Sequence, residues 1–250
     1  MHTSSNGHHI IVNDFLQHSA EVDVKDKNGI TALMLACAAG HDNVVKILLE
    51  HKAEVNITGK DGATALKLAS LNGHHIIVND LLQHRTQIDV QREDGVTSLM
   101  YACFKCHENI VKIVFQHKAY VNVAGKTGLT ALMLASLNGQ DIIVNDLLQH
   151  GAKIDVKAID GKTMLTIVCF AGHDNVVKIL LEHKADVNIA DKDSNTALIY
   201  SSLIGDETVL IDTCTKGHDN VVKMLLEHNA DINSNGSYVR QFKWTSYHGE

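Results

Sequence analysis

DKNGITALMLACAAGHDNVVKILLEHKAEVNI, residues Asp26 to Ile57, decides the fold. Gly29 permits a turn with positive φ, and Thr31, two residues on, can cap a helix. TALMLACAA then reads as a short helix, with Ala32 and Ala36 small enough to let a neighbouring helix approach, and Gly40 ends it. DNVVKILLEH reads as a second helix whose apolar stripe is Val44, Val45, Ile47, Leu48 and Leu49. AEVNITGKDG runs out from it as a β-turn finger. One pair of helices this short cannot bury its apolar face alone, whereas stacked pairs can, so the segment predicts an array.

The array is written along the chain. Thr31, Thr64, Thr97, Thr130, Thr163 and Thr196 keep a 33-residue step, as do Gly29, Gly62, Gly95, Gly128 and Gly161, and Leu33, Leu66, Leu99, Leu132, Leu165 and Leu198. A Gly-His turn recurs at Gly40-His41, Gly73-His74, Gly172-His173 and Gly217-His218. This pattern resembles the ankyrin repeat, with Thr-Ala-Leu where that family often has Thr-Pro-Leu-His, over residues 7–234. The resemblance implies an all-α solenoid of stacked helix–turn–helix units with short β-turn fingers. It also implies a scaffold for protein–protein interaction that holds a partner in the concave groove of finger tips and first helices.

A 66-residue period lies inside the first: ASLNGHHIIVNDLLQH alternates with ACAAGHDNVVKILLEH, as duplication of a two-repeat block would produce. The expected organisation is a partial unit at 1–25, full units from 26, 59, 92, 125 and 158, a shortened unit at 191–205, a last unit at 206–234 and an irregular tail at 235–250. The shortening follows from an equivalent Thr208 only 12 residues after Thr196. The segment DETVLIDTCTKG reads either as a second helix of the shortened unit or as a first helix of the last one. The incomplete first unit and the unmatched tail, with Tyr238 and Trp244, suggest a fragment of a longer protein.

Composition narrows the function classes. The chain has 250 residues, 45% hydrophobic, 4% aromatic and no proline, so the core is aliphatic and no proline-rich linker divides it. A net charge of -7 gives no electrostatic reason to expect nucleic acid or an anionic membrane as partner. No run approaches the roughly 20 apolar residues of a membrane span. MHTSSNGHH lacks a signal-peptide pattern, which points to a cytoplasmic, intracellular protein. Of five cysteines, Cys37, Cys103, Cys169 and Cys214 share one repeat position, which suits reduced thiols better than a disulfide framework.

Seventeen histidines invite a metal reading, but most are locked to the repeat. His8, His41, His74, His107, His173 and His218 follow the first helix; His18, His51, His84, His117, His150, His183 and His228 end the second. Equivalent side chains in stacked helices stand about 10 Å apart, too far to share a zinc whose bonds are about 2 Å. CFKCH (Cys103–His107) and the GKDG, GKTG and DGKT strings read as helix end and finger turns rather than haem, redox or phosphate motifs. No nucleophile–base pair stands out, so the sequence predicts no catalytic residue, no metal, no cofactor, no small-molecule substrate and a monomeric array.

Mapping the variable positions that the resemblance implies gives the candidate partner-binding residues. On the fingers these are Lys27, Asn28, Ile30, Lys60, Asp61, Glu93, Asp94, Val96, Lys126, Thr127, Leu129, Ile159, Asp160 and Lys162. On the first helices they are Leu71, Asn72, Phe104, Lys105, Leu137, Asn138 and Phe170, with Leu71, Phe104, Leu137 and Phe170 at one position of consecutive units. The resemblance further implies that finger asparagines can be hydroxylated, and Asn56, Asn188 and Asn233 carry the fitting context. An alternative use of the same array is as the recruiting fragment of a larger multidomain signalling enzyme, such as a kinase or ubiquitin ligase.

Overall fold

A computed structural model describes residues 1–91, 95–202 and 219–231. Short helices alternate along the chain in pairs. They are α1 (His2–Ser5) and α2 (His9–Gln17), α3 (Ala32–Ala39) and α4 (Asp42–Glu50), α5 (Ala65–Asn72) and α6 (His75–Gln83), and α7 (Ser98–Phe104) and α8 (Glu108–Gln116). They continue as α9 (Ala131–Leu137) and α10 (Asp141–Gln149), α11 (Met164–Ala171) and α12 (Asp174–Glu182), and α13 (Ala197–Ser202) and α14 (Asp219–Glu227). The β-structure among the described residues is one isolated antiparallel bridge between Ala124 and Thr130, inside a finger. No helix among the described residues is long and apolar enough to cross a membrane.

The chain divides into two compact halves, Met1–Ala131 and Leu132–Glu250. In the N-terminal half the first helices α1, α3, α5 and α7 pack one on the next, and so do the second helices α2, α4, α6 and α8. In the C-terminal half α11 packs on α13, and α10, α12 and α14 follow one another. The repeated leucine is the second residue of the first helices α3, α5, α7, α9 and α11 and is buried in each: Leu33, Leu66 and Leu99 are at most 2% exposed in the first half, Leu132 and Leu165 1% in the second. Burying a leucine completely contributes about 1.5–3 kcal/mol, and only a neighbouring pair of helices can cover it.

The start and stop signals act as the sequence implies. Thr31, Thr64, Thr97 and Thr163 each accept, through the side-chain hydroxyl, the backbone N–H three residues on. Gly40, Gly73 and Gly172 end their helices in the left-handed region at φ 78°, 82° and 72°. Cys106, where a glycine would stand, keeps that conformation at φ 64°.

At the C-terminal end α14 packs on both α12 and α13. The segment DETVLIDTCTKG, the last Gly-His turn and the tail with Tyr238 and Trp244 lie outside the described residues, as does Cys214.

Candidate functional site

The fingers at 26–30, 59–63, 125–129, 158–162 and 191–195 are turns closed by their own backbone. Asp26 N donates to Ile30 O and Gly29 N to Asp26 O, both at 2.9 Å. The Asp26 carboxylate accepts the amides of Asn28 and Ile30 at 2.8 Å, so it faces its own turn. Lys27 and Asn28 are thereby placed at an exposed tip, with Ile30 half-buried behind them. Lys60 and Asp61 occupy the same places on the next finger, and Lys60 N donates to Asn28 O at 2.9 Å, tying tip to tip. Gly29 must come close to the next finger: a Cβ there would stand 3.3 Å from Gly59 Cα. Lys126 and Thr127 are likewise exposed, while Val96 and Leu129 are half-buried. Glu93 and Asp94 lie outside the described residues.

Below the tips of the N-terminal half, the ends of α5 and α7 supply Leu71, half-buried, and Phe104, 45% exposed. The Lys105 ammonium lies 5.3 Å from the centroid of the Phe104 ring. Asn72 is exposed but anchored, its amide donating to Leu68 O at 2.9 Å.

In the C-terminal half Leu137 is 45% exposed and Phe170 59%. Asn138 is exposed, its amide on Leu134 O at 3.2 Å. Ile159 is 59% exposed at a fingertip. Beside it Asp160 pairs with Lys162 at 3.0 Å. Burial alone would raise the Asp160 carboxyl, and the Lys162 hydrogen bonds and charge outweigh it, leaving it below the ordinary value.

Phe170 is held from one side. Its ring meets Tyr200 edge-on, with centroids 5.9 Å apart. The Tyr200 hydroxyl donates to Asp191 at 2.5 Å, and Lys162 stands 5.8 Å over the same ring. Asp191 also accepts the amides of Asp193 and Asn195 at 2.9 Å. Burial pushes the Asp191 carboxyl up, but the bonds from Tyr200, Asn195 and Asp193 hold it below its usual value. Burial and the Asp191 carboxylate push the Tyr200 phenol up to about 12. Neither Asp191 nor Tyr200 was among the sequence candidates. The available signal was that this repeat alone carries both an Asp and a Tyr where others read Asp26 with Leu35, or Arg92 with Tyr101.

The finger asparagines are engaged. Asn56 Oδ1 accepts the Gln87 amide at 2.8 Å and its Nδ2 donates to Arg85 O at 3.5 Å. Asn188 does the same with Asp231 at 2.7 Å and Asn229 O at 3.2 Å. Asp23, Asp89 and Asp155 accept equivalent amides from Glu54, Tyr120 and Asp186. Asn233 lies outside the described residues.

The two histidine sets have structural partners. His41, His74, His107 and His173 place Nε2 2.9–3.3 Å from the carbonyls of Ser5, Ala38, Leu71 and Leu137, each one repeat back. His18, His51, His84, His150, His183 and His228 bond through Nδ1 to the carbonyl four residues earlier, capping their helices. Among the described residues no three His, Cys, Asp or Glu side chains converge on a metal-sized space. Cys37, Cys103 and Cys169 are buried free thiols, which burial keeps protonated. Cys106 is exposed.

Stacked helix pairs with bonded turn fingers and a Thr-capped first helix define an α-solenoid of the helix–turn–helix repeat class. A family model described as ankyrin repeats (3 copies) matches residues 1–94, 76–158 and 155–236, and the chain belongs to the ankyrin-repeat family. Ankyrin-repeat domains are generally protein-interaction modules. Among solved structures, the human ASB11 ankyrin repeat domain is similar, with a TM-score of 0.76 and 21% identity over 92% of this chain and 97% of that one. The ankyrin repeat domain of Bcl-3, a member of the IkappaB protein family, gives 0.72 and 23% over 90% and 96%. No curated protein matches the chain in sequence.

Proposed function

We propose that the chain binds a protein partner along the surface made by its finger tips and the ends of its first helices. The observation that carries this reading is the exposure of Phe104, Leu137 and Phe170, 45–59%, at one position of the repeat, against the full burial of the leucines that precede them on the same helices. Exposed aromatic and aliphatic side chains ringed by polar groups are the usual anchors of protein interfaces. Phe170 is braced by Tyr200 and Phe104 is covered on one side by Lys105, so both rings lose little freedom when a partner covers them. Three buried unpaired thiols suit a reducing compartment, where an intracellular partner would be met.

The test is affinity purification with quantitative mass spectrometry, comparing the native chain with the Phe104→Ala, Phe170→Ala variant. A partner lost from the variant, and then bound by the purified native chain in a titration, supports the reading. Partners retained at equal abundance by both chains would reject it.

A further inference from the structure

We propose that the two ends of the array are complementary and that copies of this chain stack head to tail, α14 of one copy on α2 of the next. The inference goes beyond the binding surface proposed above and shares no residue with it. Second helices with a neighbour on both sides bury two apolar pairs. On α4 these are Val44 with Leu48 and Val45 with Leu49, on α6 Ile77 with Leu81 and Val78 with Leu82, none more than 7% exposed. α4 packs on both α2 and α6, and α6 on both α4 and α8. α2 packs on α4 and has no second helix before it. Its equivalent residues divide accordingly: Val12 is 4% exposed and Leu16 half-buried, but Ile11 is 43% and Phe15 55% exposed. Ile11 and Phe15 therefore form the pair that a preceding second helix covers elsewhere. The imidazoles agree. His41, His74 and His107 each reach a carbonyl one repeat back, whereas His8, with no repeat before it in this chain, is exposed.

The other end shows the reverse. α14 packs on α12 before it. Val221 and Leu225 are fully buried, while Val222 and Leu226 are half-buried where Val177 and Leu181 of α12 are 0% and 4% exposed. The pair left partly uncovered on α14 is the one that the following second helix covers inside the array. The two faces match in sequence as well. α14, DNVVKMLLE, differs from α4, DNVVKILLE, only at Met224, and α2, HIIVNDFLQ, differs from α6, HIIVNDLLQ, only at Phe15. α4 on α6 is a junction that this chain already makes, so α14 on α2 repeats it between molecules. Terminal repeats that stay apart carry a polar outer face; here both ends present apolar side chains of the kind that marks interaction surfaces. A contact between unlike faces leaves one free face of each kind, so a third copy can join. Association of this kind replaces the monomeric array expected from the sequence.

Sedimentation velocity and native mass spectrometry of the full chain test this, alongside the Ile11→Glu, Phe15→Glu variant. Both positions are exposed, so the circular dichroism of the variant should match that of the native chain. Across roughly 1–500 µM, a range in which weak specific association is visible, the average mass of the native chain is expected to rise at least about twofold while the variant stays a monomer. The variant keeps its α14 face. Mixed in excess with native chain, it should therefore cap the native α2 face and give a heterodimer of one native and one variant chain, resolved by their difference in mass. Adding Leu226→Lys to the variant should abolish that heterodimer. A native chain that is monomeric throughout the range, a variant that self-associates as the native chain does, or a heterodimer undiminished by Leu226→Lys would each overturn the proposal. So would a mixture holding native homodimers and no heterodimer, the result for α2 packing on α2.

Discussion

The imidazole of His107 lies so close over Gly73 that a Cβ on that glycine would stand 2.7 Å from its Cε1. The same fit joins Gly7 to His41 and Gly139 to His173. The Gly-His turn is therefore a lock between successive repeats: the glycine of one supplies both a left-handed cap and the space for the ring of the next.

Gly73→Ala is expected to cost about 2 kcal/mol, combining the left-handed conformation of a residue with Cβ and the displaced imidazole. Hydrogen exchange of the α5 and α7 amides reads it locally, which suits a repeat array whose cooperativity is not assured. Adding His107→Ala should recover only the steric part. A single variant within 0.5 kcal/mol of native, on the order of a neutral surface change, would show that the lock carries no energy.

Cys106 holds φ at 64° without being glycine. Cys106→Gly should raise stability by about 1 kcal/mol, since glycine adopts this conformation without a Cβ penalty. The measurement is again exchange at the end of α7, and a loss of protection there would contradict the expectation.

Asn56 joins two fingers through the Gln87 amide. Asn56→Ala should cost about 1 kcal/mol and speed exchange of that amide, whereas Asn56→Asp should keep most of the protection, because Asp23 and Asp89 make the equivalent bond. Equal exchange in the two variants would remove the finger bond from the account.

The Asp191–Tyr200 bond makes the seat of Phe170 depend on pH. The Asp191 carboxyl lies below its ordinary value, so its stabilisation is present above about pH 4 and is lost as pH falls through the lowered value. Tyr200, raised to about 12, contributes fully below about pH 10 and loses that contribution as pH rises towards 12. Near-ultraviolet titration of native chain and Asp191→Asn checks both limbs. An acid step of α13 unchanged by the substitution would show that another carboxyl governs it.

Phe104→Ala and Phe170→Ala should each weaken a bound partner by at least about 1 kcal/mol, as truncation of an interface anchor does, while changing stability less than removal of any first-helix leucine. Isothermal titration with the partner recovered by purification decides it.

The repeat made the first helices, their threonine caps and the glycine stops legible, because each depends on residues within four positions of one another. The Phe170–Tyr200–Asp191 contact was not legible, since it needs a side chain from the following repeat to arrive at the right height. Lys67 was also missed: it stands where Met34, Met100 and Met133 stand, yet it is 2% exposed and its ammonium donates to Gly62 O at 3.3 Å. A polar head can be buried where a backbone carbonyl turns to meet it, and no periodicity reports that. The C-terminal repeats were ambiguous for another reason. From α13 to α14 the starts are 22 residues apart, where α3 to α4 takes 10, and the Asn188–Asp231 bond spans 43 residues where the other finger bonds span 31.

The side-chain links from Asp23 to Glu54, Asn56 to Gln87 and Asp89 to Tyr120 each close a loop of the same 31-residue span. Closure entropy depends on loop length alone in a flexible chain, so every added repeat meets the same entropic cost as the last. Ordering can nucleate at any pair and spread in both directions, with contacts that stay local in sequence however long the array becomes. Growth by duplicating a 66-residue block thus lengthens the protein without slowing the search that folds it.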